Sequence, residues 1–109
     1  MRILKFIVDG SNLTQDPSCD FDGLFPGSEE NIKAEFIFSP EWTDALKVVA
    51  FWSVMGTEDP PQILDENNTC EIPIESLMRP VFKLQVLGRR GKIPLKTNTT
   101  SVYQKGGKR

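Results

Sequence analysis

Histidine is absent from the 109-residue chain, and cysteine occurs only twice, at Cys19 and Cys70. The first absence removes the side chain most used for proton transfer near neutral pH, which is also the commonest metal ligand. The second permits one disulfide at most; neither spacing nor neighbours suggest a metal site, and two free, semi-buried thiols are expected. No apolar run approaches the roughly 18 residues needed to cross a bilayer. The longest, Val48 to Trp52, is strand length. The N-terminus carries a charge inside its apolar run and has no small-residue cleavage site, which argues against a secretory signal and for synthesis in a reducing cytoplasm. Also missing are a Gly-x-Gly-x-x-Gly fingerprint, a Gly-Lys-Ser phosphate loop and a nucleophile elbow. Together these absences lead away from an enzyme, a cofactor or a bound metal.

What is present suits one small globular domain covering residues 1–109. The hydrophobic fraction is 39% and the charged fraction 26%, and 7 Phe with 2 Trp can fill a single core. Charge is divided along the chain more sharply than the net value of −2 suggests. All 15 acidic residues lie between Asp9 and Glu75, with only Arg2, Lys5, Lys33 and Lys47 against them. From Arg79 onward nine basic residues and no acidic one follow. Such a split either steers association with itself or an oppositely charged surface, or simply sets basic strands beside acidic ones within one fold.

Period-two alternation dominates. Leu4, Phe6 and Val8 alternate with Ile3, Lys5 and Ile7, and the strand they predict is interrupted by Asp9-Gly10 and Ser11-Asn12. Residues 15–31, rich in Asp, Gly, Pro, Ser and Glu, predict a long exposed loop with at most a short strand near Cys19 to Phe21. Ile32, Ala34, Phe36 and Phe38 form the inward side of a second strand. Ser39-Pro40-Glu41-Trp42 predicts one helical turn capped by Ser39. Lys47 to Trp52 is almost continuously apolar and predicts a central strand covered on both faces. Pro60-Pro61 marks Gln62 to Leu64 as an edge strand, and a turn at 65–68 precedes a short strand from Thr69 to Ile72. Ile74, Leu77 and Met78 fall at helical spacing before Pro80, predicting a short helix packed by an apolar side. Phe82, Leu84 and Val86 alternate with Lys83 and Gln85, Gly88-Arg89-Arg90-Gly91 predicts a turn, and residues 92–96 and 97–104 supply the last strands before a solvated tail at 105–109. The expected fold is all-β, an antiparallel β-sandwich of about seven to eight short strands with one or two short helical turns; barrel-like closure of the same strands is the alternative.

Individual motifs carry little chemistry. Asp20-Phe21-Asp22-Gly23 lacks the further ligands of a calcium loop and is read as an acidic turn. The Asn-x-Thr triplets at Asn12, Asn67 and Asn98 are read as turn residues and not glycan acceptors. Gly88 to Gly91 could touch phosphate through its two arginines, though a hairpin explains the spacing. Only Tyr103 could stack on a base within the basic third, which speaks against nucleic acid. Trp42 is either a core residue or an exposed anchor for sugar or protein.

The order of the blocks carries more than any one of them. Ile7-Val8-Asp9-Gly10 is followed by Ala34-Glu35-Phe36-Ile37-Phe38-Ser39-Pro40-Glu41-Trp42, Lys47-Val48-Val49-Ala50-Phe51, Cys70-Glu71-Ile72-Pro73 through Leu77, Phe82 to Gly88, and Thr97-Asn98. In this succession, which spans nearly the whole chain, the sequence resembles a family of short β-domains in structural proteins of tailed bacteriophages. The family's members look like head-fibre or capsid-decorating modules, or like the N-terminal adaptor of upper baseplate proteins.

The resemblance implies a virion structural protein, made in the host bacterial cytoplasm, that decorates or cements a capsid through contacts with the major capsid protein or neighbouring virion subunits, with self-association as a further option. Longer relatives continue into coiled coil or receptor-binding parts; ending at Arg109 favours a free-standing decoration protein. The candidate interface comprises Arg79, Arg89, Arg90, Lys92, Lys96, Trp42 and Phe25. The alternative is a baseplate or tail-fibre adaptor that helps bind a host saccharide, with Trp42, Trp52 or Tyr103 stacking on the sugar. Third comes a cell-wall hydrolase using Glu29, Glu30 or Glu35, a pair that would need a cleft scarcely available at this size.

Overall fold

Alternating large apolar side chains build the first sheet around a strand that is buried on one side only. In the computed structural model, which describes residues 2–21, 23–24, 26 and 32–104, β1 (Arg2–Asp9) turns Leu4, Phe6 and Val8 fully inward. Gly10, at φ +63°, reverses the chain into β2 (Asn12–Gln15), a strand that the loop-like composition around it conceals. Leu13 of β2 is buried opposite Val8. β3 (Ile32–Phe38) then lies on the other side of β1 and runs parallel to it, Arg2 beside Ile32 through Val8 beside Phe38. The expectation of purely antiparallel pairing fails here for a topological reason. β2 carries the chain back toward the start of β1, and the following connection returns it to that level on the opposite side.

The described residues of this connection are less exposed than their composition predicts. No strand forms at 19–21, yet Phe21 packs edge-on against Phe6 with ring centroids 5.5 Å apart, and Leu24 is buried. On the side away from β3, β2 leaves the N-terminal half of β1 without a strand partner, and the loop borders that edge: Asp16 N–H donates to Lys5 O (3.0 Å) and Lys5 N–H to Cys19 Sγ (3.4 Å). Residues 27–31 and the tail at 105–109 lie outside the described residues.

A single 3-10 turn at Pro40–Trp42 carries the chain into the second sheet. Ser39 does not cap it; its hydroxyl instead accepts the Gly10 N–H at 2.8 Å. Trp42 is inserted between the sheets at 1% exposure, its Nε1 donating to Gly10 O at 2.7 Å. The second sheet is centred on β4 (Leu46–Ser53) and β7 (Val81–Arg90), antiparallel over eight residue pairs. β5 (Gln62–Ile63) borders β4 as the predicted edge strand. β8 (Ile93–Lys96) and β9 (Thr100–Tyr103) pair successively with the two halves of β7, while β6 (Thr69–Glu71) returns to the first sheet beside β3. The orders are β2-β1-β3-β6 and β5-β4-β7-β8, with β9 also on β7: nine strands among the described residues, in an all-β sandwich.

Three polar devices join the layers. Asn98 stands in for a missing strand at the open edge of β2: its Oδ1 accepts the Leu13 N–H at 2.7 Å and its Nδ2 donates to Leu13 O at 3.2 Å. Its amide is therefore engaged by β2, although the residue itself is exposed and lies in the connection between β8 and β9, not in the turn that the sequence suggested. Asp59, at 6% exposure, accepts from the Ser76 hydroxyl at 2.6 Å and pairs with Arg79, fastening α1 (Ile74–Leu77) to the segment after β4. Buried Gln104 donates to Leu77 O and Arg79 O at 3.0 and 2.7 Å, fixing the end of β9 to the same helix. Only part of the predicted apolar side of α1 is covered: Leu77 is buried, but Ile74 and Met78 face solvent, because one turn of helix can present a single row to the core.

β7 extends beyond the predicted strand end. The turn expected at 88–91 is displaced to Gly91 (φ +62°) and Lys92, and Gly88 sits within the strand. A Cβ at Gly88 would lie 2.7 Å from both Leu46 O and Trp42 Cζ3, so the Trp42 ring occupies the space a side chain would need.

Candidate functional site

β4 was expected to be covered on both faces, and this is corrected. Val49, Phe51 and Ser53 point into the core, whereas Leu46, Val48, Ala50 and Trp52 point out, from a sheet face that no other layer of the described residues covers. Leu46 is 76% exposed and Trp52 is half-buried. Residues directly opposite one another in antiparallel strands share a face, so the pairing defines the whole surface. One row runs Ile63, Val48, Leu87, Lys96; the next, toward the turn of β7, pairs Leu46 with Arg89 and Arg89 with Pro94. Farther along, Glu58 bridges to Trp52, which faces Lys83 and then Ser101, and Tyr103 lies opposite Val81.

The row through Val48 and Leu87 is therefore apolar, with basic groups on β7 to either side of it and on β8, and acidic groups along the β5 side. Ile63, 79% exposed, Val48, Leu46 and Leu87 form the stripe. Along the β5 side a depression of about 380 Å³ is lined by Leu46, Lys47, Val48, Ile63, Asp65 and Glu66. Nearer Trp52 a second depression, of about 530 Å³, is bounded by Glu58, Pro61, Gln85 and Leu87. Lys83, Arg89 and Lys96 border the stripe on the β7 and β8 side.

The residues proposed from sequence are distributed unevenly over this surface. Arg89 and Lys96 lie on it, and Lys92 is exposed in the adjoining turn. Arg90 points to the other side of the sheet, where its guanidinium donates to Glu41 O at 3.0 Å. Arg79 is half-buried and paired with Asp59 within the fold, apart from the outer face of this sheet. Trp42 is a core residue, so it is neither a protein anchor nor a sugar platform. Phe25 lies outside the described residues, as do Glu29 and Glu30; Glu35 sits opposite Lys5 on the outer face of the first sheet. The residues missed, Leu46, Val48, Ile63 and Leu87, did carry a signal: β4 is apolar in both phases, while the remaining sequence holds no long amphipathic helix to cover a second face.

The cysteines take no part in this surface. Both are free; burial, reinforced by the charges of Asp65 and Glu71, pushes the Cys70 thiol up to about 12, which keeps it protonated and unreactive at neutral pH. Among the described residues no group of three potential ligands is placed to hold a metal ion, and no helix is long and apolar enough to cross a membrane.

No protein-family model and no curated protein matches the chain. The functional reading therefore stands on the surface itself and on the block order of the sequence.

Proposed function

We propose that the chain is a structural component of a tailed-bacteriophage virion that decorates or cements the capsid, and that the outer face of the β4–β7 sheet is the surface buried against a neighbouring subunit. The observation that carries this reading is the row in which exposed Ile63 continues into half-buried Val48 and Leu87, joined by exposed Leu46, on a face that no layer of the described residues covers. Contiguous apolar surface rimmed by polar groups is what a protein contact site requires, because its burial repays the loss of freedom on association. Arg89 and Lys96 beside the stripe supply steering toward acidic neighbours. The phage setting comes from the resemblance of the ordered blocks between Ile7 and Asn98.

Co-sedimentation of the purified protein with undecorated capsids from the same source is the test. Binding at modest salt that is lost in Leu46→Asp, with the fold retained, is the expected result. A wild-type protein that stays in the supernatant overturns the decoration reading.

The saccharide alternative retains one favourable observation: Trp52 and Tyr103 share the same outer face, and Glu58, Lys83 and Gln85 surround Trp52 with hydrogen-bonding groups. Host glycan that quenches the fluorescence of wild type but not of Trp52→Phe, in which only buried Trp42 remains, would favour this reading over a purely protein contact.

A further inference from the structure

We infer that a neighbour of this face is a second copy of the same chain, in a twofold dimer that packs the two β4–β7 sheets against each other. The inference rests on the reading of this face as a contact surface and names the partner. A twofold contact requires a patch that complements itself, and the distribution of charge here satisfies that condition. Glu58 and Glu66 lie on the β5 margin and Lys96 on the β8 margin opposite, with the apolar stripe between them, while Lys83 lies inside the face on β7, between Trp52 and Ser101.

A twofold axis parallel to the strands, midway between β4 and β7, exchanges the two margins. Val48 then lies over the partner's Leu87, and the acidic margin of each copy over the basic margin of the other. The partner's Lys83 comes over the ring of Trp52, an arrangement that favours a cation on an aromatic face. A twofold axis perpendicular to the strands would instead set acid against acid and base against base. Charge therefore selects one orientation while the stripe supplies the burial.

The size of the face sets the expected strength. The eight residues of β4 and four strand positions across the sheet span about 27 Å by about 19 Å, on the order of 500 Å². A standard interface buries about 800 Å² per partner, so the dimer should dissociate on dilution.

Sedimentation velocity over a concentration series up to about 1 mM, at low and high salt, tests this. The expected mass rises from 12.3 kDa to twice that value, and more readily at low salt. Ile63→Lys, at a highly exposed position, sets a like charge near the partner's Lys96 and should weaken the dimer roughly tenfold. Glu58→Lys should weaken it roughly threefold, and adding Lys83→Glu to the same chain should restore it, because each copy then offers the reversed pair.

A wild-type protein that stays monomeric throughout overturns the dimer, as does a dimer indifferent to Ile63→Lys or one whose charge-swapped form does not recover. Capsid co-sedimentation decides the decoration reading independently. A monomer that still binds capsids removes only the second copy, and a dimer that binds none removes only the capsid.

Discussion

The outer faces of the two sheets are built from strands of similar length and opposite character. On the β1–β3 sheet the outward pairs are Ile3 with Lys33, Lys5 with Glu35 and Ile7 with Ile37, and Lys33 faces Glu71 on the next strand. Opposite charges in register, Lys5 with Glu35 and Lys33 with Glu71, lie between the exposed isoleucines Ile3 and Ile37 and break up their apolar surface. On the β4–β7 sheet the corresponding positions hold Leu46, Val48, Leu87 and Ile63, and the charges on β7, Lys83 and Arg89, lie above and below that row. Both sheets meet the demand of one shared core, so the difference arises outside it. A face can be apolar without destabilising the monomer, and what it gains by burial is available to a partner.

The contrast can be broken at several levels. If the two sheets form one cooperative unit, Trp42→Ala should cost about 3–5 kcal/mol and lower a single unfolding transition in denaturant. Two separate transitions would show that the sheets are independent layers. Gly88→Ala, which forces a Cβ against Trp42 and Leu46 O, should destabilise by about 1–3 kcal/mol, measured the same way. Asn98→Ala leaves both backbone groups of Leu13 without their amide partner and should cost about 1–2 kcal/mol. Faster hydrogen exchange of the Leu13 amide would localise that loss to the open edge of β2.

Smaller effects sharpen the comparison itself. Leu46→Ser and Ile37→Ser each alter an exposed position and should change stability by no more than about 0.5 kcal/mol. Only the former should weaken association in sedimentation; equal weakening by both would erase the distinction between the faces. At neutral pH the smallest effect is the titration of Cys70, which then contributes nothing. Its pKa is raised from 9.0 to about 12 in the folded state, so the unfolded chain releases its proton first on alkalinisation. Stability is intact below about pH 9 and falls as pH rises toward about 12, and Cys70→Ala should flatten that fall in unfolding curves taken at successive pH values.

The strands with strict alternation are legible in the amino-acid order alone. Leu4, Phe6 and Val8, then Ile32, Ala34 and Phe36, then Phe82, Leu84 and Val86 all point inward as their period of two requires. Pro60-Pro61 correctly marks an edge, and Pro40 opens a helical turn. The candidate surface is legible at Arg89, Lys92 and Lys96 and, through the saccharide alternative, at Trp52 and Tyr103, but not at its apolar row. A run of charge along the chain does not reveal which arginine is drawn inward by a buried carboxylate, as Asp59 draws Arg79.

The sequence by itself determined the inward phase of each regular strand, since a shift of one residue would expose every large side chain it carries. It also determined the division of charge at Arg79. Only the tertiary structure decided that β3 lies parallel beside β1, that Trp42 fills the core under Gly88, and that Leu46, Val48, Ile63 and Leu87 remain uncovered. Each of these outcomes depends on what a distant segment brings alongside. An apolar residue records in its own identity that it favours burial, but whether a neighbour arrives to bury it is a property of the assembled chain.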